Sequence, residues 1–321
     1  MLARRTAWSL AGAALAGAAV AQDAFPTRPI SLIVPLPPGG TTDAISRAFA
    51  ARMADALGRP VVIDNRPGAG ASVAYGFAAR QPADGYQVLM GINSLAVNPA
   101  LRADLPYAPL RDFAAVSLVA RGGFVLATHP DLPVRDVAGL VALARTRPGT
   151  LDQASTGSGS LNHLSGALFQ RRAGVQFGHV PYRGGTQATA DVLAGRVPLI
   201  FLAVLEALPF VRDGRLRALA VTSPARMPVL PEVPTVAEAG YPGYAVEFWQ
   251  GLFVPAGTPA NAIARLNAAA VSAASDPSLV TDMAGRGITI AASSPAELDT
   301  LLRRETLDWA ELVRAMGITA E

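Results

Sequence analysis

The stretch PLPPGGTTD, Pro35 to Asp43, lies between an apolar run, Ile30 to Val34, and an amphipathic pattern that starts at Asp43. Strand, glycine turn, then helix is the order in which a chain turns backbone N–H groups toward an anion. Pro38 leads into Gly39 and Gly40, which carry no Cβ to block a positive φ or a close ligand, and the hydroxyl of Thr41 or Thr42 is placed to cap the helix. Ile45, Ala48, Phe49, Met53 and Ala56 recur on one face, and Gly58 supplies a stop. Taken alone, the piece also fits an ordinary βα turn, because single glycine motifs carry little weight.

The device recurs. Ser155 to Ser160, STGSGS, precedes Leu161, Leu164 and Leu168 at helical spacing, and lies far enough downstream to belong to a second lobe. Tyr182 to Thr186, YRGGT, follows the strand-like Val175 to Val180 and opens a short helix ending near Gly195. Turns facing each other from two lobes make a clamp for a carboxylate. One helix N-terminus contributes only about 0.3–1 kcal/mol at an exposed site, so several must converge.

Strand-like runs at Ile30 to Val34, Val61 to Ile63, Val88 to Met90, Phe124 to Ala127, Leu199 to Leu202 and Leu216 to Val221 alternate with helical patterns. The alternation predicts an α/β protein with mainly parallel sheets. Extended apolar stretches at Gly122 to Pro130 and Tyr244 to Pro255 are the expected crossings between lobes. Lobe 1 is then discontinuous, 22–124 plus 246–321, with lobe 2 at 125–245, and the stretch from Ala260 onward returns to lobe 1 as helices. Two crossing strands permit a hinge, and a ligand touching both lobes favours closure.

The N-terminus has the pattern of a cleaved leader over 1–21: Arg4 and Arg5, an alanine-rich apolar run from Ala7 to Ala18, and Ala19-Val20-Ala21 before Gln22. Export to a bacterial periplasm, with cleavage after Ala21, is the expectation, by either the general or the twin-arginine route. No other window is long and apolar enough to cross a bilayer. All 27 basic residues are arginine; without the leader 25 remain against 24 acids. These arginines are scattered and lack aromatic interleaving, which argues against nucleic acid.

Several chemistries are excluded or disfavoured by what is missing. Cysteine and lysine are both absent, which removes disulfides, thiol chemistry, Schiff bases and the P-loop lysine. No G-x-G-x-x-G is complete, so no dinucleotide cofactor is expected. The three histidines, His129, His163 and His179, are dispersed, so no metal site is expected. Ser158 or Ser160 with His163 is the one candidate nucleophile and base, giving an exported serine hydrolase as the alternative function, although no G-x-S-x-G is present. His163 otherwise packs beside its turn and donates to a ligand. Asp43 is read as structural, complementing the helix dipole.

With these motifs in view, the chain resembles the substrate-binding proteins of tripartite tricarboxylate transporters, the Bug family of periplasmic receptors. The resemblance is carried by RPISLIVPLPPGGTTD (Arg28 to Asp43), VVIDNRPGAGA (Val61 to Ala71), ADGY (Ala83 to Tyr86), NPAL with LPYAPLRDFAAVSLVA (Asn98 to Ala120), PGTLDQASTGSGSLNHL (Pro148 to Leu164), HVPYRGG (His179 to Gly185), LRALAVTS (Leu216 to Ser223), LPEVPTVAEAG (Leu230 to Gly240) and VPAGTP (Val254 to Pro259). It implies a two-lobed type II periplasmic-binding-protein fold, with a hinge of two crossing strands, that closes over a small organic carboxylate without catalysis. It also implies a membrane transporter or a sensor kinase as partner. By the same resemblance, ligand is held by Pro38, Gly39, Gly40, Thr41 and Thr42 and by Ser158, Gly159 and Ser160 opposite. Asn93, Ser94, Tyr182, Gly185, Thr186, Phe248 and Trp249 surround it, with bridging waters in place of an arginine fork.

One departure bears on specificity. Relatives read roughly G-x-V-D-L-x-F-D where this chain has Gly195-Arg196-Val197-Pro198-Leu199-Ile200-Phe201-Leu202, replacing two acids by Pro198 and Leu202. If Leu202 reaches the cleft, the expected ligand is a carboxylate without an amino group; if not, Leu202 is core.

Overall fold

The structure, a computed structural model, describes residues 25–318. The predicted leader and its cleavage site lie outside the described residues. In chain order, β1 (Ile30–Val34), α1 (Thr41–Leu57), β2 (Val61–Asn65), α2 (Ser72–Ala78), β3 (Gln87–Ile92), α3 (Ser94–Leu101) and the short α4 (Pro109–Asp112) lead into a long β4 (Phe113–Thr128). Then come α5 (Val137–Thr146), β5 (Asp152–Ser155), α6 (Leu161–Ala173), β6 (Gly178–Pro181), α7 (Gly185–Leu193), β7 (Leu199–Ala203), α8 (Val204–Arg212) and β8 (Arg217–Val221). The chain returns through β9 (Glu247–Pro255) to α9 (Ala260–Ala274), α10 (Pro277–Gly285), β10 (Thr289–Ile290) and α11 (Pro295–Met316).

Local sequence accounts for the helix limits. Gly58 ends α1 in the left-handed region, φ +66°, and its N–H bonds to Ala54 O. The buried Ile45, Phe49 and Met53 seat that helix on the core. A capping box of Ser294 and Glu297, with Pro295 in the first turn, starts α11. The segment after Ala260 is mainly helical: α9 lies against α1, and α11 against α3 and β4.

β4 joins the two halves. Its residues Phe113 to Gly123 pair with β9, and from Phe124 to Thr128 it pairs instead with β7, with β8 on its other edge. The partner change falls at Gly122-Gly123, where neighbours come too close for a side chain. A Cβ on Gly122 would stand 2.5 Å from Phe248 Cζ, and one on Gly123 2.5 Å from Met227 Cε. β4 and β9 are thus the strands that connect the two halves.

The expectation of mainly parallel sheets needs correction. β1 pairs in parallel with β2 and β3, and β5 with β6 and β7, but every pair involving β4 or β9 is antiparallel. One strand leaves the first half and the other comes back, so they run in opposite directions and the sheet is mixed.

Candidate functional site

The β1–α1 turn places its polar groups differently from the sequence expectation. Gly39 is the position with a left-handed backbone, φ +88°, and Gly40 is the extended N-cap of α1 with no side-chain cap. Neither threonine caps the helix. Thr41 directs both its N–H and its hydroxyl to Glu206 Oε1, at 2.7 and 2.8 Å, and Thr42 Oγ1 accepts from Gln250 Nε2 at 3.2 Å. Asp43 is structural as read: Oδ2 accepts from Gly39 N–H and Arg47 Nε, and Oδ1 from Asn65 Nδ2. Burial works to raise its pKa, but the Arg47, Gly39 and Asn65 hydrogen bonds outweigh that and hold the carboxyl below its usual range.

Between the halves lies a cavity of about 260 Å³, at which four helices begin. α1 contributes Thr41 and Thr42 to the wall, α3 Ser94, α6 Leu161 and Asn162, and α7 Gly185 to Gln187. The first N–H groups of a helix have no partner within it, so each start offers donors and the positive end of a dipole. Leu202, Phe124, Phe248 and Trp249 supply an apolar floor. Phe124 and Phe248 meet edge to face at 5.6 Å.

Among the described residues the wall has one acid, Glu206, one cation, Arg183, and a buried amide, Gln250, whose Oε1 has no partner. Among the described residues no cluster of His, Asp and Glu has the makings of a metal site, and no helix is long and apolar enough to cross a membrane.

Residues 45–318 match the family model described as tripartite tricarboxylate transporter family receptor. The chain belongs to the tripartite tricarboxylate transporter receptor family. This is a family of periplasmic solute-binding receptors that includes the Bug proteins. The chain is 42% identical over 292 residues to a Pseudomonas protein named for the tcbD-tcbE intergenic region, covering 91% of this chain and 87% of that one. It is 37% identical to protein BugT of Bordetella pertussis, covering 94% and 93%. A solved R. palustris protein with adipate superposes with a TM-score of 0.89 at 34% identity, covering 92% of this chain and 100% of the other. The fold is thus the two-lobed periplasmic-binding type that the resemblance implied.

Most site residues expected for such a receptor line the cavity: Pro38, Gly40, Thr41 and Thr42 from the first turn, and Asn93 and Ser94 after β3. Gly159 and Ser160 face it from the α6 turn, Gly185 and Thr186 from the α7 turn, and Leu202, Phe248 and Trp249 from the strands. Four expected residues do not line it. Gly39 spends its N–H on Asp43. Ser158 is absent from the lining, although Gly159 and Ser160 beside it are part of it. Tyr182 gives its hydroxyl to Asp191 Oδ2 at 2.7 Å. His163 accepts the Gly159 N–H on Nδ1 at 3.1 Å and stacks on His179 at 3.8 Å.

That geometry also bears on the serine–histidine pairing considered from sequence. No hydrogen bond joins His163 to Ser158 or Ser160 among the described residues. The Ser160 hydroxyl instead lies within bonding distance of Gly157 O and Asn162 Oδ1. Burial, with the His179 charge as a second cause, lowers the His163 pKa to about 4, which keeps the ring neutral.

The picture of glycine turns with bare amides is likewise modified. Gly157 and Ser160 spend their N–H groups inside the turn, on Ser155 Oγ and Gly157 O, and Thr156 and Gly159 spend theirs on the α6 side chains Asn162 Oδ1 and His163 Nδ1. The open donors are the helix starts just beyond the turns.

Sequence reading missed Glu206, Arg183 and Gln250. Arg183 lay inside a motif already singled out, but neither Glu206 on α8 nor Gln250 on β9 carried any local signal. Leu202 does reach the cleft, the condition of the specificity argument, and α8 adds a carboxylate, Glu206, four residues later.

Proposed function

We propose that this chain is a non-catalytic receptor that closes over a small organic carboxylate and delivers it to a tripartite tricarboxylate-type transporter or to a sensor kinase. The lobes are residues 22–124 with 246–321, and residues 125–245, hinged on β4 and β9. One observation carries the reading: four helix starts, two from each half, open on the same cavity. Several such ends acting together, away from bulk water, favour an anion where a single exposed one is too weak. Adipate in the similar R. palustris structure supports the same ligand class. Candidate contacts are the main-chain groups of Thr42, Ser94, Leu161 and Thr186, with Phe248 and Trp249 packing on the carbon skeleton.

The test is a thermal-shift screen of the chain lacking residues 1–21 against a carboxylate library, followed by calorimetry. A receptor gives stoichiometric binding and a melting temperature that climbs with ligand concentration, without product formation. Ester or amide turnover, or the absence of any carboxylate-dependent shift, overturns the proposal.

A further inference from the structure

The Glu206 carboxylate occupies the position between two helix starts that an anionic ligand would be expected to take. Its Oε1 accepts the Thr41 N–H and hydroxyl from the first half. Its Oε2 lies so near the α7 start that a Cβ at Gly185 would overlap it, and a Cβ at Gly40 would stand 3.5 Å from Oε1. Gly185 thus makes room for a carboxylate that the chain itself supplies, and Gly40 lies in ordinary contact distance of it. A second negative charge brought to this end of the cavity meets Glu206 and finds the Thr41 donors in use. At the α6 side the wall offers the Leu161 and Asn162 N–H groups, and Arg183 is the one cation in the lining among the described residues. Gln250, 1% exposed, has Oε1 unpartnered while Nε2 donates to Thr42 Oγ1. A buried acceptor in the wall of a cavity calls for a donor on the ligand.

We propose that Glu206 is a built-in carboxylate that makes this receptor selective for ligands with a single carboxylate and a far end that bears no second negative charge, a hydrogen-bond donor such as a hydroxyl being preferred, and that it discriminates against dicarboxylates. The inference rests on the receptor reading above and narrows its ligand class.

The matched probes are hexanoate, 6-hydroxyhexanoate and adipate, which share one chain length and differ at one end. Calorimetry on the wild-type protein is expected to show adipate binding at least tenfold more weakly than 6-hydroxyhexanoate. In Glu206→Ala, and in Glu206→Gln should the alanine variant not fold, the ratio of adipate to hexanoate dissociation constants is expected to fall at least tenfold. Adipate preferred by the wild type, or an unchanged ratio in the variants, overturns the inference while leaving the receptor reading intact. An equal gain for every probe also overturns it, since Glu206 would then act as a general plug. If none of the probes binds wild type or variants while other carboxylates do, the inference fails alone; if no carboxylate of any kind binds, both readings fall.

Discussion

The Trp249 indole N–H donates to Glu305 Oε2 at 2.8 Å, tying a wall of the cleft to the C-terminal helix. The same oxygen accepts from Asn93 Nδ2 at 3.1 Å and Trp309 Nε1 at 3.1 Å, and Asn93 Oδ1 accepts the Trp249 backbone N–H. Two cavity-lining residues far apart in sequence are therefore set by one carboxylate on α11. Glu305→Leu leaves three donors unpaired, each costing about 1–3 kcal/mol if buried. The expected result is a melting temperature lower by about 5 °C or more and carboxylate affinity weaker by about tenfold, a loss of roughly 1.4 kcal/mol. Glu305→Gln should fall between the two. Thermal melts with calorimetry check both, and unchanged affinity in a folded Leu variant would separate α11 from the site.

His163 gives the fold a pH response with a definite sign. Its folded pKa of about 4 lies below the ordinary 6.5, so the unfolded chain binds more protons between those values. Stability should therefore rise as pH climbs from about 4 to about 6.5, by up to roughly 3 kcal/mol, and gain nothing further from this group above that range. His163→Gln keeps an acceptor for the Gly159 N–H and removes the titration. Melts from pH 4 to 7 should show a shallower slope in the variant; parallel curves would assign the acid sensitivity elsewhere.

Much of this architecture was legible because period and punctuation act locally. The apolar run Ile30 to Val34 is β1 residue for residue, and Gly58 ends α1 as read. The glycine turns located the cavity because a helix start after Gly-Gly needs only its immediate neighbours. What local sequence did not reveal is who occupies those starts. Asp43 and Glu206 look alike as acids near a helix N-terminus; one bonds its own turn and the other reaches an N–H 165 positions away. Likewise, nothing around Gln250 distinguishes it from a buried strand residue until β9 is laid beside α1. The orientation of β4 and β9 was hidden for the same reason, since strand direction is a property of the crossing rather than of either run.

The crossover offers a way to disturb the cleft from behind. A Cβ at Gly122 would meet Phe248 Cζ at 2.5 Å and Ile288 Cδ1 at 3.2 Å, and Phe248 forms part of the cavity wall. Gly122→Ala should displace the Phe248 ring from its edge-to-face contact with Phe124, at a cost of about 1–3 kcal/mol. Lower stability is expected together with weaker carboxylate binding, read by thermal melts and calorimetry. A variant that loses stability but binds as wild type would mean that the ring relaxes away from the ligand.

The two glycines of the first turn look equivalent in sequence and should respond oppositely to substitution. Gly39 sits at φ +88° with open space around a built Cβ, so Gly39→Ala strains the backbone by about 1 kcal/mol without filling the cleft. Gly40 is extended, φ −86° and ψ 177°, a conformation any residue adopts, and its nearest neighbour beyond the turn is Glu206 Oε1 at 3.5 Å. Gly40→Val should therefore fold with nearly wild-type stability, yet its branched carbons intrude on the Thr41–Glu206 contact and on the cavity. Affinity for a carboxylate found in the screen is expected to drop at least tenfold in Gly40→Val and to change little in Gly39→Ala. Melting curves and titrations on the pair decide the matter: tight binding by the valine variant would make the turn a scaffold with no part in holding ligand.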